Sequence, residues 1–327
     1  MKVLVAGGAG YIGSHTVYEF IRDGHDVIVF DNLSTGRRDA VHPQARFFEG
    51  DIRDKTALDA CLRAESAQKP VDVAMHFAAK LIVPESLTQP LTYYENNVGG
   101  LRTMLEALVE NKVRNIVFSS TAAVYGEPPH GVCFEDDYLS PINPYGETKL
   151  AAERMIKWVC AAHDMNYCIL RYFNVAGADA SLEIGLDKDQ LTHLIPLIMQ
   201  TALGLREKLL IFGDDYDTPD GSCIRDYIHV TDLAKAHILG ANYLVDKNAS
   251  LVANLGSGKG YSVTEVVSSA REMFDFVYEY APRRDGDPAR LTADISRARA
   301  ELGWEPELSL RTMLESDYAY RKRISNR

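Results

Sequence analysis

Residues 2–15 read Lys2-Val-Leu-Val-Ala6, then Gly7-Gly8-Ala9-Gly10-Tyr11-Ile12-Gly13-Ser14-His15, and this stretch decides the fold. Lys2–Ala6 is an apolar run of strand length that ends at glycine. The glycines fit G-x-x-G-x-x-G from Gly7 and G-x-G-x-x-G from Gly8. Glycine at these places permits a tight turn and close backbone approach to a pyrophosphate. The helix that opens at about Tyr11 offers unpaired N–H groups and the positive end of its dipole. A glycine fingerprint by itself is a weak signal. Its position after a strand and before a helix is the context that its chemistry requires.

Outward from there, apolar runs recur at Asp26–Phe30, Ala45–Glu49, Val71–Phe77, Asn115–Ser119 and Asn166–Arg171. They are rich in Val, Ile and Phe with little polar alternation, the pattern of parallel strands buried on both faces. Amphipathic stretches lie between them, among them Tyr11–Asp23, Asn97–Glu110 and Tyr145–His163. Strand–helix alternation on this scale predicts an α/β fold, a Rossmann-type doubly wound parallel sheet. After about residue 175 the texture changes to turn-rich loops: Ala178–Asp189, Asp214–Ser222 and Arg283–Arg290. Residues 1–175 are therefore expected to form the dinucleotide-binding domain and 176–327 a smaller C-terminal α/β substrate domain. Segments such as His229–Asn242 or Val252–Gly258 are open to returning to the first domain.

Composition narrows the function classes. The chain has 327 residues, 46% hydrophobic and 25% charged, with a formal net charge of −11. Those fractions are those of a folded globular chain and exclude fibrous and disordered classes. The acidic balance argues against nucleic acid as a partner, since a phosphate backbone needs a basic face. No apolar run is long enough to span a membrane, and Met1–Ala6 reads as a first strand rather than a signal peptide. The cysteines are Cys61, Cys133, Cys160, Cys168 and Cys223, an odd number with no C-x-x-C pair. Neither a disulfide framework nor a metal site is expected, and a cytoplasmic location fits best.

Asp31 ends the second predicted strand. A carboxylate there accepts hydrogen bonds from a ribose 2′-hydroxyl and repels a 2′-phosphate, which points to NAD as the cofactor. The alternative is an Asp31 that caps the loop through Asn32 and Ser34, and Arg37-Arg38 keeps NADP open as the lesser option. Asp51-Ile52, after the third strand, sits where a loop could meet the adenine.

Tyr145 and Lys149 form a Y-x-x-x-K whose spacing puts both side chains on one helical face. A nearby ammonium and an oxidised nicotinamide would both favour the phenolate and lower the tyrosine pKa. The spacing alone arises often by chance. It gains weight from Ser119-Ser120-Thr121 at the end of the fifth predicted strand, because ligands of such sheets bind beyond the carboxyl ends of strands. A hydroxyl there is placed to bond the substrate oxygen that Tyr145 deprotonates.

In GGAGYIGSH, HFAA, YYENNVGG, SSTAAVYG, NPYGETKL, LRYFNVAGA, the stretch around Arg225-Asp226-Tyr227 and PRRDGDPARL, the chain resembles the sugar-nucleotide epimerases of the extended short-chain dehydrogenase/reductase family. The resemblance covers nearly the whole chain. It implies reversible 4-epimerisation of UDP-glucose and UDP-galactose through a 4-keto intermediate with tightly bound NAD, and a homodimer. It assigns Tyr145 as base and acid, Lys149 as the group that tunes it, and Thr121 as the hydroxyl that bonds the sugar. It places Phe77, Ala78, Ala79, Asn97 and Tyr172 along NAD, beside Gly7, Gly10, Tyr11, Ile12, Gly13, Asp31, Asn32, Ser34, Asp51, Ile52, Ser119 and Tyr145, with Lys149 also holding the nicotinamide ribose. It gives Asn174, Leu194, Leu210, Phe212, Arg225, Tyr227, Arg284 and Asp287 to the UDP moiety. Guanidinium groups suit a diphosphate and apolar faces suit uracil.

Some positions depart from the family pattern. Lys80 stands one place early and Leu81 occupies the usual lysine position, while His193 replaces an asparagine. Leu291 falls where some members carry a bulky aromatic, so UDP-N-acetylglucosamine and UDP-N-acetylgalactosamine remain alternative substrates. Ala122 and Ala123 follow Thr121 where a 4,6-dehydratase would need acidic residues. A redox-sensing regulator would keep the glycine loop but has no need of the Tyr/Lys pair.

Overall fold

Seven short apolar segments pair into one sheet in the computed structural model, which describes residues 1–67, 69–128, 130–187, 191–284 and 287–326. Across the sheet they run Leu251–Leu255, Asn166–Tyr172, Asn115–Thr121, Val73–His76, Lys2–Ala6, Asp26–Asp31, Arg46–Glu49. The pairings from Arg46–Glu49 to Asn115–Thr121 are parallel. Lys2–Ala6 lies between Asp26–Asp31 and Val73–His76, so the strand order reverses beside it. That reversal opens a crevice at the carboxyl ends, where open α/β sheets take their ligands. The Rossmann-type sheet is the one the sequence predicts, with Leu251–Leu255 as a seventh strand that its patterning did not flag.

The chain divides into two units. One comprises Met1–Gly126, Tyr138–Arg171 and Ala234–Ala253; the other comprises Glu127–Asp137, Tyr172–Leu233 and Asn254–Arg327. The expected boundary at 175 lies near the crossing at 171/172, and most of the His229–Asn242 segment, from Ala234 on, falls in the first unit. In the first unit, Leu4, Ile28, Phe30, Ile116 and Phe118 on the sheet pack against Leu58, Leu62, Leu101, Met104, Leu108 and Ile156 on helices. Each such side chain taken out of water contributes about 1.5–3 kcal/mol. The helix expected at Asn97–Glu110 is split: a π-helical turn, Tyr94–Gly99, precedes the α-helix Gly100–Glu110. Single π turns inside helices often mark functional positions, and this one carries Asn97.

The second unit has a four-stranded sheet in the order Tyr261–Ser262, Ile224–Arg225, Arg290–Ala293, Val132–Cys133. Its apolar core gathers Ile195, Ile198, Met199, Leu209, Ile211, Val266 and Leu314. The five cysteines are all buried with free thiols. Among the described residues, no helix is long and apolar enough to cross a membrane. Part of the Ala178–Asp189 loop and Asp285-Gly286 of the Arg283–Arg290 loop lie outside the described residues.

Candidate active site

The glycine turn is tight because backbone presses on backbone. Gly7 has φ +85°, and a Cβ on it would meet Ala78 N at 2.6 Å. Phe77 and Ala78, which with Ala79 follow Val73–His76, are thereby brought beside the glycine loop. A Cβ on Gly13 would lie 2.2 Å from the Gly7 carbonyl oxygen. The helix Tyr11–Arg22 starts at Gly10 with no side-chain cap and no acidic residue in its first turn, which contains Tyr11, Ile12 and Gly13. The first N–H groups of such a helix have no intrahelical acceptor.

Asp31 is buried at the end of its strand, yet both of its oxygens are already engaged. Oδ2 accepts the Ala9 N–H at 2.9 Å and Oδ1 accepts the Leu33 N–H at 2.8 Å. It therefore fastens the glycine loop as well as the following turn, and the remaining lone pairs of a carboxylate are what it has for a ribose. In that turn the Ser34 N–H donates to Asn32 Oδ1 at 3.0 Å, and Asn32 Nδ2 donates to Asp51 Oδ2 at 2.9 Å. Asp51 also pairs with Arg53, whose hydrogen bonds hold its carboxyl well below the usual carboxylate range. Ile52 is buried where Gly100 leaves room for it.

Asn97 uses its whole carboxamide within the protein. Its oxygen accepts the Lys80 N–H at 2.8 Å, while its nitrogen donates to the Lys80 carbonyl at 3.0 Å and to Thr148 Oγ1 at 3.1 Å. It thus clips the segment after Phe77–Ala79 onto the helix that carries Tyr145 and Lys149. Lys80 itself lies 3.8 Å from Glu85, and Leu81 is largely exposed.

That helix, Pro144–Ala162, is capped by Asn143, whose side chain accepts the Gly146 N–H at 2.9 Å. Tyr145 and Lys149 stand in its first turns. The strand Asn115–Thr121 extends two residues past its expected end and brings Ser119, Ser120 and Thr121 alongside. Lys149 is buried, and its Nζ donates to the Ser119 carbonyl at 2.8 Å. Burial pulls its ammonium down to about 7, with Glu153 opposing. The lowered tyrosine pKa expected from the sequence is absent in the chain alone: burial pushes the Tyr145 phenol up to about 12, against a hydrogen bond from Thr121. Desolvation dominates, and the Lys149 ammonium is engaged by the Ser119 carbonyl. The sequence reading also missed Glu153, Arg171 and Tyr125, which fill the space behind Lys149; buried charges far apart in sequence carry no local pattern.

In the second unit, Arg225 Nη1 donates to the Ile224 carbonyl at 2.7 Å and Nη2 pairs with Asp287. Both had been assigned to the same ligand. Here they neutralise one another, so an anion arriving at Arg225 must share it with Asp287. Asp226 is fully buried and accepts from Ser257, the Gly258 N–H and the Ala293 N–H, which fixes Ile224–Arg225 against its neighbours. Its own carbonyl accepts both the Asn174 N–H, at 3.0 Å, and Asn174 Nδ2, at 3.1 Å. The guanidinium of Arg284 lies 3.9 Å over the Phe212 ring. Leu210 and Phe212 belong to Leu209–Phe212, Leu194 opens the helix Leu194–Ala202 after His193, and Tyr227 is buried with its ring 6.5 Å from Tyr261. Tyr172 ends the strand Asn166–Tyr172.

Similar proteins match this chain over nearly its whole length. A UDP-glucose 4-epimerase of Halalkalibacterium halodurans is 50% identical over 325 residues, covering 98% of this chain and 96% of the relative. The crystal structure of UDP-glucose 4-epimerase from Brucella ovis in complex with NAD is 43% identical, with a TM-score of 0.93 and 98% of each chain covered. A UDP-glucose-4-epimerase from Stenotrophomonas maltophila, solved with bound NAD and formylated UDP-arabinopyranose, superposes with a TM-score of 0.96 at 38% identity over 100% of this chain and 99% of that one. The profile that matches residues 3–256 spans the glycine turn, the Tyr/Lys helix and the arginine strand alike, and by it the chain belongs to the NAD dependent epimerase/dehydratase family.

Proposed function

We propose that this protein interconverts UDP-glucose and UDP-galactose by epimerisation at C4, with NAD held in the first unit and the UDP moiety by groups of the second. The observation that carries the reading is the meeting of Tyr145, Lys149 and Thr121 at the carboxyl end of Asn115–Thr121, in the unit that carries the glycine turn. The turn fits a dinucleotide: Gly7 and Gly13 leave no room for a side chain, and the uncapped helix behind them lacks any anion of its own. NAD, when bound, supplies the acceptor for the C4 hydride and gives it back.

Tyr145 removes the proton of the 4-hydroxyl and later returns it. Thr121 bonds the same oxygen, and Lys149 supplies positive charge that favours the phenolate. Arg225 and Arg284 pair with the diphosphate, while Phe212, Leu194, Leu210 and Tyr227 suit the base and Asn174 adds a polar contact. Binding through the nucleotide retains the 4-keto sugar while it turns over. Purified protein given UDP-galactose and no external reductant is expected to form UDP-glucose; absence of product would overturn the reading.

Leu291 supports a second substrate class. It is half-buried in Arg290–Ala293, in register with Arg225. A leucine there leaves more space at the sugar than an aromatic ring would, so UDP-N-acetylgalactosamine belongs in the same assay.

Gly13→Ala is expected to weaken NAD binding about 5- to 150-fold, the effect of about 1–3 kcal/mol of overpacking. Titration of NAD into the variant measures it; unchanged affinity would contradict the assigned role of the turn. A homodimer is also proposed, through Leu87, Leu91 and Trp158, which are 62%, 82% and 78% exposed on neighbouring helices of the first unit. Leu91→Glu with Trp158→Glu is expected to shift sedimentation from dimer to monomer.

A further inference from the structure

Behind Lys149 the first unit buries a second ionic group that the proposed reaction does not use. Glu153 and Arg171 side chains are each 1% exposed. Arg171 Nε donates to Glu153 Oε1 at 2.9 Å and Nη2 to Oε2 at 2.7 Å, a two-pronged pair. Arg171 Nη1 donates to the Tyr125 hydroxyl at 3.0 Å, and Ser120 Oγ donates to Glu153 Oε1 at 2.5 Å. Adjacent strand residues are thus tied to successive turns of one helix: the Ser119 carbonyl to Lys149, the Ser120 hydroxyl to Glu153.

We propose that Glu153 is a positioning residue for the proton-transfer pair, its carboxylate, locked by Arg171 and Ser120, keeping Lys149 protonated against the Ser119 carbonyl. The proposal rests on the roles given above to Tyr145 and Lys149. Glu153 follows Lys149 by four residues and so lies one turn along the same helical face. Around Lys149 stand the Ser119 carbonyl, the Phe118 ring at 4.9 Å from Nζ and His76, with Tyr145 one turn earlier on the same helix, while Arg171 is engaged with Glu153 and with Tyr125. Burial and the charge of Lys149 hold His76 at about 3, so it is neutral. Among these groups Glu153 alone is anionic. It opposes the burial that draws Lys149 down to about 7.

The sign follows directly. A lysine is charged below its pKa. Removing the anion lowers that pKa, and the ammonium disappears at a lower pH. Tyr145 then loses the positive charge that favours its phenolate, and the alkaline limb of the activity profile moves toward acid.

The test uses the NAD-loaded protein with Glu153→Gln and with Glu153→Gln/Arg171→Met. Lysine NMR reads the Lys149 midpoint, the signal being assigned by its loss in Lys149→Met. The pH profile of kcat on UDP-galactose is measured in parallel. The Lys149 midpoint and the alkaline limb are expected to fall by about one to two pH units in Glu153→Gln. The double variant should fall less, because the repulsion from Arg171 is gone as well. A lower Tm and kcat with the midpoint unmoved in both variants would mean a structural role only and overturn the proposal. If Glu153→Gln does not fold, the double variant carries the test, since a buried pair exchanged for neutral groups of similar volume commonly keeps its stability. If the wild type forms no UDP-glucose, the functional reading fails, whereas the lysine midpoint still decides the role of Glu153.

Discussion

Tyr145→Phe is expected to reduce epimerisation by roughly 10²- to 10⁴-fold, the contribution of a positioned acid–base group. The ring stays and only the hydroxyl leaves. That hydroxyl bonds Thr121, and with its pKa pushed up to about 12 it carries no charge at neutral pH. Its removal therefore leaves no buried ion unpaired, and the fold should be kept. The NAD content, released by denaturation and read by absorbance, should match that of the wild type, because the glycine turn and Lys149 are untouched. Retention of wild-type turnover would remove Tyr145 from the mechanism. A loss of both turnover and NAD would instead assign it to cofactor binding.

The largest effect on stability is expected from Arg171→Met. Methionine fills much of the same space, but Glu153 is left as a buried carboxylate with Ser120 as its remaining hydrogen-bond donor among the described residues. Breaking one side of a buried ion pair costs about 3–5 kcal/mol. That is a large share of the 5–15 kcal/mol that typically holds a domain folded. Urea denaturation should show the loss as a lower midpoint. Adding Glu153→Gln should restore most of it, because the unpaired charge is then gone. A loss under about 1 kcal/mol in the single variant would mean that the carboxyl finds a proton or water cheaply.

The parts legible in the sequence are those that local pattern encodes. Lys2–Ala6 and the glycines announce a strand, a turn and a helix within fifteen residues, and the Tyr145/Lys149 spacing is a helical repeat. Leu251–Leu255 has only five residues, LVANL, too few to mark a strand by pattern, although the overlapping Val252–Gly258 is open in sequence to returning to the first domain. The crossing at 233/234 falls inside the helix Val230–Lys247, where no turn signal marks it. The capping of the following turn by Asp31 is an alternative the sequence offers, but its bond to Ala9 and the hold of Lys80 and Thr148 on Asn97 show only in the folded chain. Glu153 and Arg171 lie 18 residues apart, on a helix and a strand, with no local pattern that pairs them. Their pairing is a tertiary fact, as is that of Arg225 with Asp287.

The repeated passage of the backbone between the two units bears on how the molecule is made. Leu251–Leu255, the outermost strand beyond Asn166–Tyr172, comes last in the sheet both in space and along the chain. A ribosome that has released only the first 175 residues has therefore delivered a sheet whose border is Asn166–Tyr172, a largely buried strand that Leu251–Leu255 normally covers, and an uncovered strand of that kind invites pairing with the wrong chain. Gene fragments ended there should yield more insoluble product than ones that continue past Leu255, in which Asn166–Tyr172 is covered again.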